Sequence, residues 1–271
     1  MTIYAEVIGD PIAQSKSPII HAYWLAKLGM AGEYRRERVS PNRLGGYLRD
    51  RRADPLWRGC SVTIPHKEAV IGYLDELDPS AAAVGAVNCV AADPSGLIGY
   101  NTDVDGVAAA LRDVPIQGSK VVIIGGGGAA RAAISCLAEH GAGEIVVLVR
   151  DPARAKPLRP LFSSLQIALL GAARTLLPDS GTVINASPLG MTGCPAMPED
   201  LLESLRSESA PTVFDMVYDP IDTAFLSAGG GKRVDGLEML IGQAARAFEL
   251  FFGAPAPEPD DRLRELLISG G

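Results

Sequence analysis

The sequence predicts an α/β protein of two domains, the second built on a doubly wound sheet of parallel strands. Three observations carry that expectation. Short apolar runs alternate with helical stripes through 120–234, the rhythm of repeated βαβ units. The run Val121-Val122-Ile123-Ile124 is continuously apolar, as a parallel strand buried on both faces requires. Four glycines, Gly125 to Gly128, stand between that strand and a helical stretch. A chain of 271 residues has the length of two compact domains.

In the first hundred residues, 2–8 reads as a strand with Gly9-Asp10-Pro11 as its turn. A helix is expected over 18–28, with Pro18 in its first turn and Ser17 as its cap. A strand over 34–39, a helix over 42–52 and a short strand over 60–63 follow, then a helix after Ile64-Pro65-His66. Segments 86–92 and 97–102 form a hairpin across Asp93-Pro94-Ser95-Gly96.

The second unit opens near Lys120. After its first strand comes a helix carrying Ala130, Ala133, Ile134, Leu137 and Ala138 on one face, stopped at Gly141. Later strands are expected over 144–149, 166–169, 182–186, 212–217 and 233–234. Leu237, Leu240, Ile241, Ala244 and Phe248 fall at helical spacing, so a last helix packs on the first domain or bridges the two. The expected division is 1–104 with the C-terminal helices of 237–271, against 105–236.

Composition narrows the function classes. Hydrophobic residues make up 47% and charged ones 21%, an ordinary globular balance. A net charge of −7 argues against nucleic-acid and anionic-membrane partners, which want a basic face. The four cysteines form no CxxC pair and the histidines number only three, so no metal site is expected. No secretory leader and no membrane-length apolar stretch is visible, and a cytoplasmic location is expected. Oligomeric state, monomer or homodimer, is left open.

The glycine tract fits G-x-G-x-x-A in the strand–turn–helix context that makes the pattern informative. Gly125 permits the tight turn, Gly127 lets backbone approach a pyrophosphate, and Ala130 allows close helix–strand packing. The helix N-terminus offers N–H groups and partial positive charge to phosphates. Cofactor choice rests on Arg150-Asp151-Pro152-Ala153-Arg154. Arginines pair with the 2′-phosphate of NADP, whereas an acidic residue accepts the ribose 2′-hydroxyl of NAD. Ahead of Pro152, Asp151 suits a helix cap, which favours NADP and keeps NAD as the alternative.

Four polar clusters lie at strand ends or helix starts of the first domain: Ser15-Lys16-Ser17, Ser61 to Lys67, Asn88 within an apolar strand, and Asn101-Thr102-Asp103. Each alone has a structural explanation as a cap, a backbone partner or an exposed lysine. Beyond neighbouring strand ends they converge, and together they suit a polyhydroxylated ring bearing a carboxylate.

Through these motifs the chain resembles the shikimate dehydrogenase family over nearly its whole length. Ser15-Lys16-Ser17-Pro18, Val62-Thr63-Ile64-Pro65-His66-Lys67, Gly85-Ala86-Val87-Asn88 and Asn101-Thr102-Asp103 carry the likeness. So do the loop from Gly125 to Ala129, Asp215-Met216-Val217-Tyr218, and Asp235-Gly236-Leu237 leading to Gln243. The resemblance implies an N-terminal substrate domain, a Rossmann-type NADP-binding domain, and metal-free reduction of 3-dehydroshikimate to shikimate. It implies Lys67 and Asp103 as the catalytic pair, and Ser15, Ser17 and Tyr218 on the carboxylate. Thr63, Asn88 and Gln243 then hold ring hydroxyls. Gly125, Gly126, Gly127, Gly128 and Ala129 cradle the cofactor, Arg150 and Arg154 its phosphate, with Met216 and Gly236 near the nicotinamide.

The chain departs from the family pattern at several places. Ser61 replaces a usual asparagine, Val149 another, Gln14 a frequent histidine, and Asp151 is often threonine. The competing readings are a quinate/shikimate dehydrogenase preferring NAD, and a non-catalytic ligand-sensing relative. Ser17 favours shikimate over quinate, and a sensor has no need of the Lys67–Asp103 pair.

Overall fold

The computed structural model describes residues 2–206 and 210–270. The chain divides into two compact units, Met1–Thr102 with Gln243–Gly271, and Asp103–Gly242.

The first unit begins with β1 (Ile3–Gly9), α1 (Ser17–Lys27), β2 (Gly32–Arg38), α2 (Leu44–Arg52) and β3 (Trp57–Val62). It continues through β4 (Glu76–Leu77), α3 (Pro79–Val84), β5 (Cys89–Asp93) and β6 (Gly96–Tyr100). The six strands form one sheet in the order β2-β1-β3-β5-β6-β4. β1 is parallel to β2 and β3, while β5 runs antiparallel to both β3 and β6. Central β1 is buried almost throughout. Its one charge, Glu6, is 2% exposed, and Arg51 grips it with bonds of 2.7 and 2.9 Å while the Tyr47 hydroxyl donates at 2.7 Å. A buried carboxylate is tolerated only with such pairing.

Several local expectations shift. Ser17 is the first residue of α1, not its cap. Lys16 takes the cap position without a side-chain cap bond, while Ser15 Oγ accepts from the Ser17 amide at 3.4 Å. The helix expected from position 42 starts as a 3-10 turn over Pro41–Arg43, and the one after His66 is only a 3-10 turn over Ala69–Tyr73. β3 starts three residues earlier than its apolar run, because Trp57 and Gly59 already pair with β1. α3 is capped at its start by Asp78, which accepts from the Ser80 amide at 2.9 Å, and stopped by left-handed Gly85.

The second unit runs α4 (Asp103–Ala110), β7 (Lys120–Ile124), α5 (Gly128–Glu139), β8 (Glu144–Val149), α6 (Pro152–Ala155) and β9 (Gln166–Leu169). It goes on through α7 (Ala173–Leu176), β10 (Thr182–Asn185), α8 (Glu199–Leu205), β11 (Thr212–Asp215), α9 (Ala224–Ala228) and β12 (Arg233–Val234). Its strands are all parallel, in the order β12-β11-β10-β7-β8-β9. This is the doubly wound sheet that the sequence predicts. Val121, Ile123, Ile145 and Val147 enter the core on one face; Val122, Ile124, Val146 and Leu148 enter the core on the other. Burial on both faces explains the continuous apolar runs. The winding reverses between β7 and β10, and the crevice beyond their carboxyl ends is where such sheets take ligands.

The unit boundary falls inside α10 (Gly236–Phe252), and α11 (Asp261–Ser269) closes the chain. Within the first unit, Phe248, Phe251 and Phe252 of α10 surround His21, whose ring stacks on Tyr34 at 3.9 Å between centroids. Trp24 meets Phe248 edge-on, so this end of α10 is part of the first unit's core.

Candidate active site

In the first unit, strand direction gathers the polar motifs. The chain leaves β1 and β3, parallel neighbours, at the same edge of the sheet. Because β5 runs the other way, Asn88 just before it sits beside the end of β3, where the Val62 amide donates to its carbonyl at 2.7 Å. The Asn88 amide in turn donates to Tyr100 O at the end of β6, at 3.0 Å. Lys67 is brought to the same place by its carbonyl, which accepts from the Val87 amide at 2.8 Å.

The Thr63 to Lys67 loop is tied down on several sides. Thr63 N donates to Ile8 O at 3.0 Å, Asp10 N to Ile64 O at 3.0 Å, and His66 N to Thr63 O at 2.9 Å. The buried His66 ring bonds Val39 O through Nε2 at 2.6 Å. Gly9 permits this approach: a Cβ there would meet Thr63 Cγ2 at 2.6 Å and Ile64 O at 3.0 Å. Among the polar side chains, Asn88 is 3% exposed and bonds Thr102 by both ends of its amide. Asp103 is the next residue in the chain, buried, and opens α4 in the second unit.

Ser15 lies on the loop leaving β1, and Ser17 opens α1 just after it. Arg36 of β2 grips the Ser15 carbonyl through Nε at 3.0 Å and Nη2 at 2.7 Å. Lys16 reaches 251 positions along the chain to donate to Leu267 O in the last turn of α11, at 2.6 Å. A cation at a helix C-terminus satisfies a carbonyl without an intrahelical partner. Ser17 is buried, Ser15 half-buried, and Gln243 half-buried on α10.

In the second unit, a cavity of about 640 Å³ opens at the sheet's switch point. Its lining includes Gly125, Gly126, Gly127, Arg150, Asp151, Arg154 and the segment Ala186 to Leu189. Gly125 has φ +107°, and a Cβ on it would meet Ala186 O at 2.8 Å, so only glycine suits this turn. Gly127 and Gly128 have nothing within 4 Å of a virtual Cβ, which leaves their backbone open to a ligand. α5 starts there with no side chain capping its amides. The residues present therefore fit a dinucleotide: open backbone for a pyrophosphate, and two exposed arginines at the end of β8.

Asp151 behaves as the helix cap that its position before Pro152 predicts, accepting from Ala153 N at 3.0 Å. Its other oxygen lies 3.6 Å from Arg154 Nε. Beyond the sheet edge, Met216 and Tyr218 are half-buried, and burial with the neighbouring Asp219 charge raises the Tyr218 phenol above its ordinary value. Gly236 packs on this segment so closely that a Cβ would lie 2.6 Å from Val217 O and 2.8 Å from Met216 O.

Sequence reasoning missed four contributors: Gly9, Arg36, Thr102 as the partner of Asn88, and Asn185. Gly9 stands in a turn and Thr102 in a motif already singled out, but neither was given this role. Arg36 acts on Ser15, 21 positions away, and Asn185 on Asp215, 30 positions away, so neither long-range contact leaves a local signal.

The sheet, its glycine loop and the arginine-lined cavity define the class: a two-unit α/β dehydrogenase scaffold for a dinucleotide. Family profiles refine it. "Shikimate dehydrogenase substrate binding domain" matches residues 7–90, "Shikimate / quinate 5-dehydrogenase" residues 108–192, and "Shikimate 5'-dehydrogenase C-terminal domain" residues 236–262. A shikimate dehydrogenase (NADP(+)) of Sphingopyxis alaskensis is 47% identical, covering 98% of this chain and 97% of its own. The structure of shikimate 5-dehydrogenase from Thermus thermophilus in complex with NADP(H) and shikimate is 34% identical. It superposes with a TM-score of 0.83 over 99% of each chain. Quinate dehydrogenase from Corynebacterium glutamicum in complex with NAD is 30% identical, with a TM-score of 0.85 over 99% of each chain. The chain belongs to the shikimate dehydrogenase family. Among the described residues no helix is long and apolar enough to cross a membrane.

Proposed function

We propose that the chain catalyses the reversible NADP-dependent reduction of 3-dehydroshikimate to shikimate. The observation that carries this reading is the convergence of Thr63, Lys67 and Asn88 at one edge of the first unit's sheet, with Asp103 directly after Thr102. Thr63, Asn88 and Gln243 hold ring hydroxyls, and Ser15, Ser17 and Tyr218 hold the carboxylate. The first unit is the substrate domain; the second holds the dinucleotide on Gly125 to Ala129, with Arg150 and Arg154 on its 2′-phosphate and Met216 and Gly236 toward the nicotinamide.

When bound, NADPH supplies the hydride that forms the new C–H bond at the carbonyl carbon. The C=O π pair becomes the O–H bond of the product alcohol. Lys67 donates a hydrogen bond to that oxygen, stabilises its growing negative charge, and delivers the proton. Asp103 orients the ammonium. Asn88 is pre-set for its role, since its amide is locked to Thr102 before substrate arrives.

Asp151, spent as a cap, is poorly placed to accept a ribose hydroxyl, which favours NADP over NAD. The acidic chain with its four free cysteines suits the cytoplasm and a small-molecule partner, as a monomer or homodimer. The test is a steady-state assay of shikimate and quinate, each with NADP and NAD. Shikimate with NADP is expected to give the highest kcat/KM. A preference for quinate with NAD contradicts the proposal.

A further inference from the structure

At the carboxyl ends of β10 and β11, two polar side chains meet with no exposure at all. Asn185 and Asp215 are register partners on adjacent parallel strands, both 0% exposed. The Asn185 side-chain amide donates to Asp215 Oδ1 at 2.9 Å and to Leu189 O at 3.0 Å. Its oxygen accepts from Ser187 N at 3.1 Å and Ser187 Oγ at 2.7 Å. One amide thus folds the Ala186 to Leu189 wall of the dinucleotide cavity into a fixed turn.

Asp215 carries the same order into the next segment. Its Oδ1 also accepts from Val217 N at 3.0 Å, and its Oδ2 from the Thr223 hydroxyl at 2.6 Å. The Thr223 oxygen in turn accepts from Leu226 N at 3.2 Å, capping α9. Met216 N donates to Asn185 O at 3.0 Å, and Gly236 closes on the Met216–Val217 carbonyls from the other side. Three donors, from Asn185, Val217 and Thr223, converge on the Asp215 carboxylate, which accepts all of them and donates none.

We infer that Asp215 is a positioning residue: with Asn185 and Thr223 it fixes the Met216 to Tyr218 segment against the wall of the dinucleotide cavity. Burial pushes the Asp215 carboxyl up to about 6, held back by its bonds from Thr223, Val217 and Asn185. A charge kept in the core at such a cost, with no cation among those causes, is consistent with a specific geometric task.

The inference rests on the reading of Met216 and Tyr218 as residues that face ligand. Its test separates the two halves of the cofactor. Thr223→Val removes the bond to the carboxylate together with the α9 cap while keeping the side chain's shape; Thr223→Ser keeps the hydroxyl and both bonds. The readouts are the dissociation constants of NADPH and of 2′,5′-ADP, which lacks the nicotinamide half, together with kcat and KM for shikimate. In Thr223→Val, NADPH affinity and kcat are each expected to fall by about tenfold, the loss of one charge-assisted bond. Binding of 2′,5′-ADP is expected to stay within about twofold, and Thr223→Ser to restore both losses.

Equal weakening of both ligands in Thr223→Val reveals a general structural role and overturns the inference. So does an unchanged ratio of the two affinities with unchanged kcat. If the wild-type chain does not turn over shikimate, the functional reading fails, and the affinity ratio still decides the role of Asp215.

Discussion

Asn88 and Thr102 clasp each other across the first unit's sheet edge: the Asn88 side-chain amide donates to Thr102 Oγ1 at 3.1 Å, and its oxygen accepts from the Thr102 backbone amide at 2.6 Å. Both residues are buried, so the contact fixes the segment after β6 that delivers Asp103 one residue later.

Asn88→Ala leaves the buried Thr102 N–H without its acceptor, at a cost of about 1–3 kcal/mol. The expected outcome is a lower urea midpoint of that size together with a raised KM for shikimate. The dissociation constant of NADP, held by the other unit, is expected to be unchanged. A raised NADP constant with an unaltered KM contradicts the role given to Asn88.

Asp151→Asn keeps a good helix cap and removes a negative charge from the cavity wall, since asparagine caps as well as aspartate. NADP affinity is expected to rise a few-fold and NAD affinity to change little, measured by titration at low salt. Arg154→Ala is expected to weaken NADP by about tenfold and leave NAD nearly unaltered. If both cofactors respond equally to either change, the 2′-phosphate is not held there.

How much of this was legible in the sequence depends on how local each signal is. β7, β8, β10 and β11 follow from apolar runs between positions 120 and 215, and their two-sided burial is what makes those runs apolar. The glycine loop, Lys67, Asn88 and Asp103 stood out by motif. β4 did not, because Glu76–Leu77 is too short to show a period and exists only by pairing with β6. α3 carries a local signal, Asp78 before Pro79 with Gly85 at its end, but it spans only six residues. The Asn185–Asp215 contact arises from strand register, and the Lys16–Leu267 bond from a fold that closes 251 positions of chain; neither leaves a trace in local spacing.

His21 gives a pH-dependent stability with a definite sign. It is fully buried among aromatic rings, and both ring nitrogens are without a hydrogen-bond partner. Burial lowers its pKa from 6.5 to about 3. Above pH 6.5 the group is neutral in folded and unfolded chains alike, and its contribution is constant. Below that, the unfolded chain binds a proton that the folded one refuses, so stability falls as pH drops toward 3, by up to roughly 1.4 kcal/mol per pH unit. His21→Leu is expected to remove that slope in urea unfolding between pH 6.5 and 4.5, whatever it does to stability at pH 8. An identical slope in the variant means the ring titrates in the fold.

The most direct test is Asp103→Asn, with single-turnover reduction of NADP by shikimate measured beside equilibrium binding of shikimate. The amide keeps the shape at the start of α4 and loses the charge that the proposed mechanism uses to orient the Lys67 ammonium. The expected result is a rate constant reduced by about a hundredfold or more, with shikimate still bound within a few-fold of wild type. An unchanged rate constant contradicts the assignment of Lys67 and Asp103 as the reacting pair.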